Sequence, residues 1–213
     1  MFRFMTTLFA VVVTTSCTVN MSWGGEPKIA IDANATTPLK AGEKIPDVVI
    51  HDNSGEGVSL HSLIEKDAPT VIVFFRGSWC PICTRHFQDL IKIHPKIVEH
   101  GAKVIAISPD TAENSKANAE SLNIPFPLYS DSDVKAASAF GLAFQVGETT
   151  LIKYNKFGID LEKASGRNHH ALPVPAVYIV DQAGKIQFAH SNPDYSKRLE
   201  GAKILAELKK LPK

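Results

Sequence analysis

The sequence predicts an α/β fold in which a central mixed β-sheet carries helices on both faces. Three observations support this. The runs Thr70–Phe75 and Lys103–Ser108 are rich in β-branched and aromatic residues and alternate with stretches of helical periodicity. A turn at Asp181–Gly184 joins two further apolar runs as a hairpin. A content of 44% hydrophobic and 21% charged residues belongs to a globular domain rather than a disordered chain.

The 213 residues suit one domain with a substantial core behind an N-terminal leader. Arg3 precedes an uncharged stretch from Phe4 to Val19, whose apolar centre, Leu8–Val13, is far shorter than the about 20 residues that span a bilayer. Residues 1–17 therefore read as a secretory signal peptide, and the domain is expected outside the cytoplasm. Cys17, after Thr14, Thr15 and Ser16, resembles the acylated cysteine of a bacterial lipoprotein signal, although Thr14 stands where leucine is usual. The leader thus implies either a periplasmic protein or one anchored to the membrane through Cys17. Residues 18–44, with Gly24, Gly25, Pro27, Thr36, Thr37 and Pro38, read as a tether, and 45–213 as the domain.

Within the domain, Val48–His51 reads as a short strand, followed by a turn at Asn53–Gly57 and a helical turn at Ser62–Glu65. Thr70–Phe75, bounded by Pro69 and Gly77, reads as a buried central strand. A helix begins near Cys80, with Cys83, Phe87, Leu90, Ile91 and His94 at helical spacing, and Pro95 ends or kinks it. Lys103–Ser108 is a second buried strand, parallel to the first by the right-handed crossover rule. Thr111 or Asn114 caps a helix toward Leu122, Phe126–Tyr129 is a short strand, and Asp133–Phe140 is a helix closed by Gly141. Residues 142–172 show helices only around Thr149–Tyr154 and Asp160–Ala164. Ala176–Val180 and Lys185–His190 form the hairpin, and 196–211 a closing helix.

A formal net charge of +1, with no basic run interleaved with aromatics, excludes nucleic acid as the expected partner. With Cys17 in the leader, Cys80 and Cys83 remain, spaced Cys-x-x-Cys. So small a loop gains little entropy on closure, so redox chemistry or metal binding explains the pair better than a structural staple.

The segment Phe74–Cys83 leaves a strand through a short turn and enters a helix. Cys80 falls at the helix N-terminus, and Pro81 at the first helical position, where a missing N–H costs nothing. The helix end favours an anion, and a thiol there can drop from about 8.5 to between ~3.5 and ~7.5. A pKa near ~6 raises the thiolate at neutral pH from roughly 3% to about 90%. Cys83 lies one turn on, with Cα atoms about 5 Å apart, within disulfide reach. Cys80 is therefore the expected nucleophile and Cys83 the resolving thiol. Arg76 either faces the thiolate or is an ordinary loop arginine, and Trp79 either lines the approach to Cys80 or simply packs.

The stretch WCPIC after an apolar strand, with VPAVYIVDQAGKI further on, resembles the thioredoxin-like superfamily. More narrowly, GEKIPDVVIHDNSGEGVSL, VIAISPDT, IPFPLYSDSD followed by AFGL, and RGSWCPIC resemble the peroxiredoxin-like branch of the AhpC/TSA (redoxin) family, over residues 42–210. The resemblance implies a cis bond at Val174–Pro175 beside the redox pair. It also implies a hydroperoxide substrate and a thioredoxin-like dithiol reductant, and it requires no bound cofactor or metal. One departure stands out. Typical members carry Pro-x-x-x-Thr/Ser-x-x-Cys and a distant arginine, whereas this chain has Val73, Gly77 and Pro175 at those places. Ser78 and Arg76 are the nearest substitutes.

Three activities follow as expectations. The first is a thiol peroxidase cycling through a Cys80–Cys83 disulfide. The second is an exported dithiol–disulfide oxidoreductase similar to TlpA-type proteins. The third is a copper module in which His169 or His170 joins the cysteines. Zinc on Cys80, Cys83 and His86 lacks a fourth ligand. His94 reads as an interior or boundary histidine, and Asp110 and Asp131 as helix caps or loop-shaping residues.

Overall fold

The computed structural model describes residues 27–64 and 68–211. Nine strands and six helices follow in order: β1 Val49–His51, β2 Gly57–Ser59, β3 Thr70–Phe74, α1 Pro81–Glu99, β4 Lys103–Ser108, α2 Ala112–Ser121, β5 Leu128–Ser130, α3 Lys135–Ala139, β6 Ala143–Gln145, α4 Glu148–Lys156, α5 Leu161–Ser165, β7 Ala171–Pro173, β8 Ala176–Val180, β9 Ile186–Ser191 and α6 Gly201–Leu208. Seven strands form one mixed sheet in the order β2-β1-β5-β4-β3-β8-β9, and β6 pairs with β7 separately. As expected, β3 and β4 are parallel, from Thr70↔Lys103 to Phe74↔Ile107.

Strand β3 is buried on both faces, and its alternating side chains divide the core. Val71, Val73 and Phe75 meet Phe87, Leu90 and Ile97 of α1 and Ile204 and Leu208 of α6. Ile72 and Phe74 meet Ala136 and Ala137 of α3 and Phe140 on the other side, with Phe74 and Phe140 ring centroids 4.8 Å apart. At about 25 cal/mol per Å² of apolar surface removed from water, this double-sided burial anchors the strand from which the Cys-x-x-Cys turn departs.

Several elements differ from expectation. Helix α1 runs through Pro95 to Glu99, because buried Ile97 anchors its last turn against the core despite the lost backbone bond. The closing helix begins at Gly201 rather than 196. The Gly201 amide is taken by Asp89 Oδ2 at 2.6 Å and the Leu199 carbonyl faces His86 Nε2 at 3.1 Å, so both serve contacts to α1. Residues 27–44, read as a tether, lie against the domain. Thr37 and Leu39 amides donate to the Gly141 and Phe140 carbonyls at 3.0 Å each, and Gly42 to Ile186 at 2.8 Å. Main-chain pairing of this kind is indifferent to polar side chains. The leader expected over 1–17, with Cys17, lies outside the described residues, as does Glu65.

No peptide bond among the described residues is cis, so Val174–Pro175 is trans, contrary to what the resemblance implied. The Val174 amide still donates to Leu142 at 2.9 Å, and β8 begins at Ala176.

Candidate active site

The end of β3 is fixed by the Phe75 amide donating to Ile107 at 3.0 Å, after which Arg76–Trp79 turn the chain into α1. Gly77 makes that turn possible. Its φ is +141°, and a Cβ there would lie 2.4 Å from Trp79 Nε1 and 2.8 Å from Asp110 Oδ1, so only glycine fits. The Cys80 amide closes the turn on the Gly77 carbonyl at 3.2 Å, and the Ser78 amide donates to Asp110 Oδ2 at 2.7 Å. Cys80 is the N-cap of α1, with Pro81 as its first residue.

Both sulfurs are reduced and only 2% exposed. The Cys83 S–H donates to Cys80. That bond is the largest of the effects that lower the Cys80 pKa to about 6, and the Arg76 cation, the Cys83 amide and the Arg198 cation add to it against the opposing effect of burial. Burial and the neighbouring Cys80 charge push Cys83 the other way, well above the ordinary thiol value, with Arg198 pulling it down. At neutral pH the pair is therefore one thiolate and one thiol. The rate of Cys80 modification by an uncharged alkylating reagent should follow the thiolate fraction. It is expected to hold a plateau above neutrality, halve near pH ~6 and fall about tenfold from the plateau by pH ~5. A stopped-flow pH profile with its midpoint at an ordinary thiol value would contradict this.

Arg76, 3% exposed, sits where its Nη1 is 3.9 Å from Cys80 Sγ. Its Nη2 donates to the Tyr154 hydroxyl. Its guanidinium lies 4.0 Å from the Tyr195 ring centroid and 5.0 Å from that of Trp79, so three aromatic rings wall in the cation. Trp79 is half-buried and packs on Tyr154 with centroids 5.5 Å apart. Ser78 donates its backbone amide to Asp110. Pro175 links β7 and β8, and its carbonyl accepts from the Asn192 amide at 3.4 Å.

Asp110, read from sequence as a helix cap or a loop-shaping residue, is fully buried and shapes the loop before α1 by accepting the Ser78 amide. The Ser108 hydroxyl also donates to its Oδ2, at 3.1 Å, while Oδ1 has no hydrogen-bond partner. Burial raises its pKa to about 6, the Ser78 and Ser108 bonds oppose that rise, and the Cys80 charge adds to it. Asp131 does cap, accepting from the Ala136 and Ala137 amides at 2.9 and 2.8 Å. Arg198, which the sequence reading passed over, places Nη2 3.5 Å from Cys83 Sγ.

The histidines of the metal readings are otherwise engaged. His169 contacts the Ser132 carbonyl through Nε2 at 2.8 Å and accepts the Ala171 amide on Nδ1 at 2.9 Å. His170 pairs with Glu162 at 2.8 Å, and His86 turns to Leu199. Among the described residues no cluster of three His, Cys, Asp or Glu is arranged to hold a metal ion. His94 is half-buried beside Phe126, with centroids 5.6 Å apart.

Comparison with known proteins agrees with this geometry. Residues 41–189 match the AhpC/TSA family. The chain is 27% identical over 151 residues to the chloroplastic peroxiredoxin Q of Sedum lineare, covering 71% of this chain and 68% of that protein. It is 32% identical over 102 residues to peroxiredoxin Bcp of Bacillus subtilis (strain 168), covering 48% and 64% respectively. For the chloroplastic relatives of Triticum aestivum and rice, the chain covers 60% of their length. In fold it is similar to the peroxidoxin BcpB of Mycobacterium tuberculosis, with a TM-score of 0.63 and 21% identity over 82% of this chain and 99% of that one. It is also similar to a peroxiredoxin-like protein from Aquifex aeolicus, with a TM-score of 0.64 and 19% identity over 87% and 98%. A family match over more than half the chain, on a thioredoxin-like sheet that delivers an ionised cysteine to a helix start, has one reading: this chain belongs to the AhpC/TSA family of thiol-based peroxiredoxin-type oxidoreductases.

Proposed function

We propose that the protein is a thiol peroxidase that reduces hydroperoxides through Cys80 and is recycled through Cys83. The observation that carries this reading is the ionised, buried Cys80 accepting the S–H of a protonated Cys83 within an AhpC/TSA domain. The thiolate attacks the terminal peroxide oxygen, the O–O bond breaks, and the departing alkoxide takes a proton, leaving Cys80 as sulfenic acid and releasing an alcohol or water. Cys83 then condenses with it, expelling water and forming the disulfide, which an external dithiol of the thioredoxin kind reopens. The leader reading places this cycle outside the cytoplasm, with Cys17 as a candidate anchor.

A second reading, disulfide exchange with protein substrates, is favoured by one observation. The site holds Val73 and Gly77 where peroxide-activating proline and threonine would stand, and Gly77 has no room for a side chain. Consumption of hydrogen peroxide and an alkyl hydroperoxide, measured beside insulin reduction with the same dithiol donor, separates the two. Peroxide turnover is the expected result. Insulin reduction without peroxide turnover would transfer the assignment to the second reading.

A further inference from the structure

We propose that Arg198 is a catalytic residue of the thiol–disulfide cycle, stabilising negative charge on the Cys83 sulfur whenever that atom attacks or departs. This rests on the reading that Cys80 and Cys83 interconvert between dithiol and disulfide. Cys83 is 2% exposed, so water is not at hand to solvate a thiolate there. The nearest cation is Arg198, whose Nη2 is 3.5 Å from the sulfur. Its Nη1 is buried and has no hydrogen-bond partner among the described residues, so the guanidinium keeps unused donor capacity beside the pair.

Helix α1 itself sets this placement. His86 and Asp89 follow Cys83 at intervals of three along the helix and hold the backbone immediately after Arg198. His86 Nε2 reaches the Leu199 carbonyl at 3.1 Å, and Asp89 Oδ2 accepts the Gly201 amide at 2.6 Å. The approach is close, since a Cβ at Gly201 would lie 2.8 Å from Ile93 Cδ1 and 3.1 Å from Asp89 Oδ2. Burial, with the Arg198 charge second, pushes the His86 pKa to about 4, so the imidazole is neutral and donates to Leu199 without repelling Arg198. The helix that carries the resolving thiol thus also carries the clamp for its cation.

In condensation, the Cys83 sulfur bonds to Cys80 Sγ, the S–O bond of the sulfenic acid breaks, and the Cys83 proton leaves with the hydroxyl as water. In reopening, an incoming thiolate bonds to Cys80 Sγ, and Cys83 departs with the S–S electron pair. It does so as a thiolate facing Arg198 and is then protonated. Arg198 stays charged throughout and transfers no proton.

The test uses the full chain with its disulfide preformed by diamide, so that no peroxide is needed. Arg198→Met is expected to slow reopening by dithiothreitol about tenfold, and Arg198→Lys to restore it to within about threefold. In a Cys80→Ser background, the thiolate absorbance of Cys83 should titrate about one pH unit higher with Arg198→Met than without it. Arg198→Gln, with the same expected losses, replaces the methionine variant if thermal unfolding shows that variant misfolded. Reopening within about twofold of wild type with an unmoved titration, or a lysine variant no better than methionine, would overturn the proposal. A wild type that shows the Arg198 dependence but consumes no peroxide would sink the peroxidase reading alone. A wild type that forms no Cys80–Cys83 disulfide with diamide would sink both.

Discussion

Cys80→Ser is expected to abolish turnover, by about 10³-fold or more, whereas Cys83→Ser retains a single oxidation per chain. A serine hydroxyl at the same N-cap would remain protonated near neutrality, because neither Arg76 nor the helix end can bring an alcohol into range. Cys83→Ser acts differently. It replaces the S–H that donates to Cys80 with a hydroxyl that can donate in its place, so the alkylation midpoint should stay below the ordinary thiol value and the sulfur stay competent. It also removes the partner for condensation, so sulfenic acid should accumulate and be trapped by a diketone reagent, read by mass spectrometry. Multiple turnovers by Cys83→Ser at the wild-type rate would show that another thiol resolves the intermediate.

Gly77→Thr, which puts back the residue type usual at that place in the family, is expected to lower activity rather than raise it. The backbone there lies in a region that threonine avoids, and its Cβ would overlap the Trp79 indole and the Asp110 carboxylate. A destabilisation of about 2–4 kcal/mol follows from strain combined with overpacking. The same change would pull the Ser78 amide off Asp110 and move Cys80 from its helix-start position, so its titration should drift toward an ordinary thiol. Urea midpoints and alkylation pH profiles read the two effects independently. A stable variant with faster peroxide turnover would mean that the turn is more accommodating than its geometry.

What the sequence revealed was local. β3, β4 and α1 were legible because each buries a continuous run or stripe, and both cysteines and their helix-start setting lie within one short segment. β6 and β7 were not legible, being three residues each, with a proline ending the second. The residues that surround the sulfurs were hidden for another reason. Tyr154 reaches Arg76 from 78 residues away, Asp110 reaches Ser78 from 32, and Arg198 reaches Cys83 from 115. No periodicity encodes contacts made by chain reversal, and a lone arginine in a polar stretch resembles any solvated one. Asp110 illustrates the same limit: SPD reads as a loop signature until burial shows which way its carboxylate turns. Pro175 erred in the opposite direction, since a family habit was carried to a bond that is trans in this chain.

On the proposed cycle, the hydrogen bond between the two sulfurs would also set the lifetime of the oxidised enzyme. In the proposed cycle, a sulfenic acid at Cys80 forms beside the Cys83 thiol that hydrogen-bonds it at the start of the same helix. A second oxidant molecule must arrive within that brief interval to drive Cys80 to the sulfinic acid, a dead end without dedicated repair. Built this way, the site favours endurance in a flood of oxidant over the delayed self-inactivation that would make it an alarm.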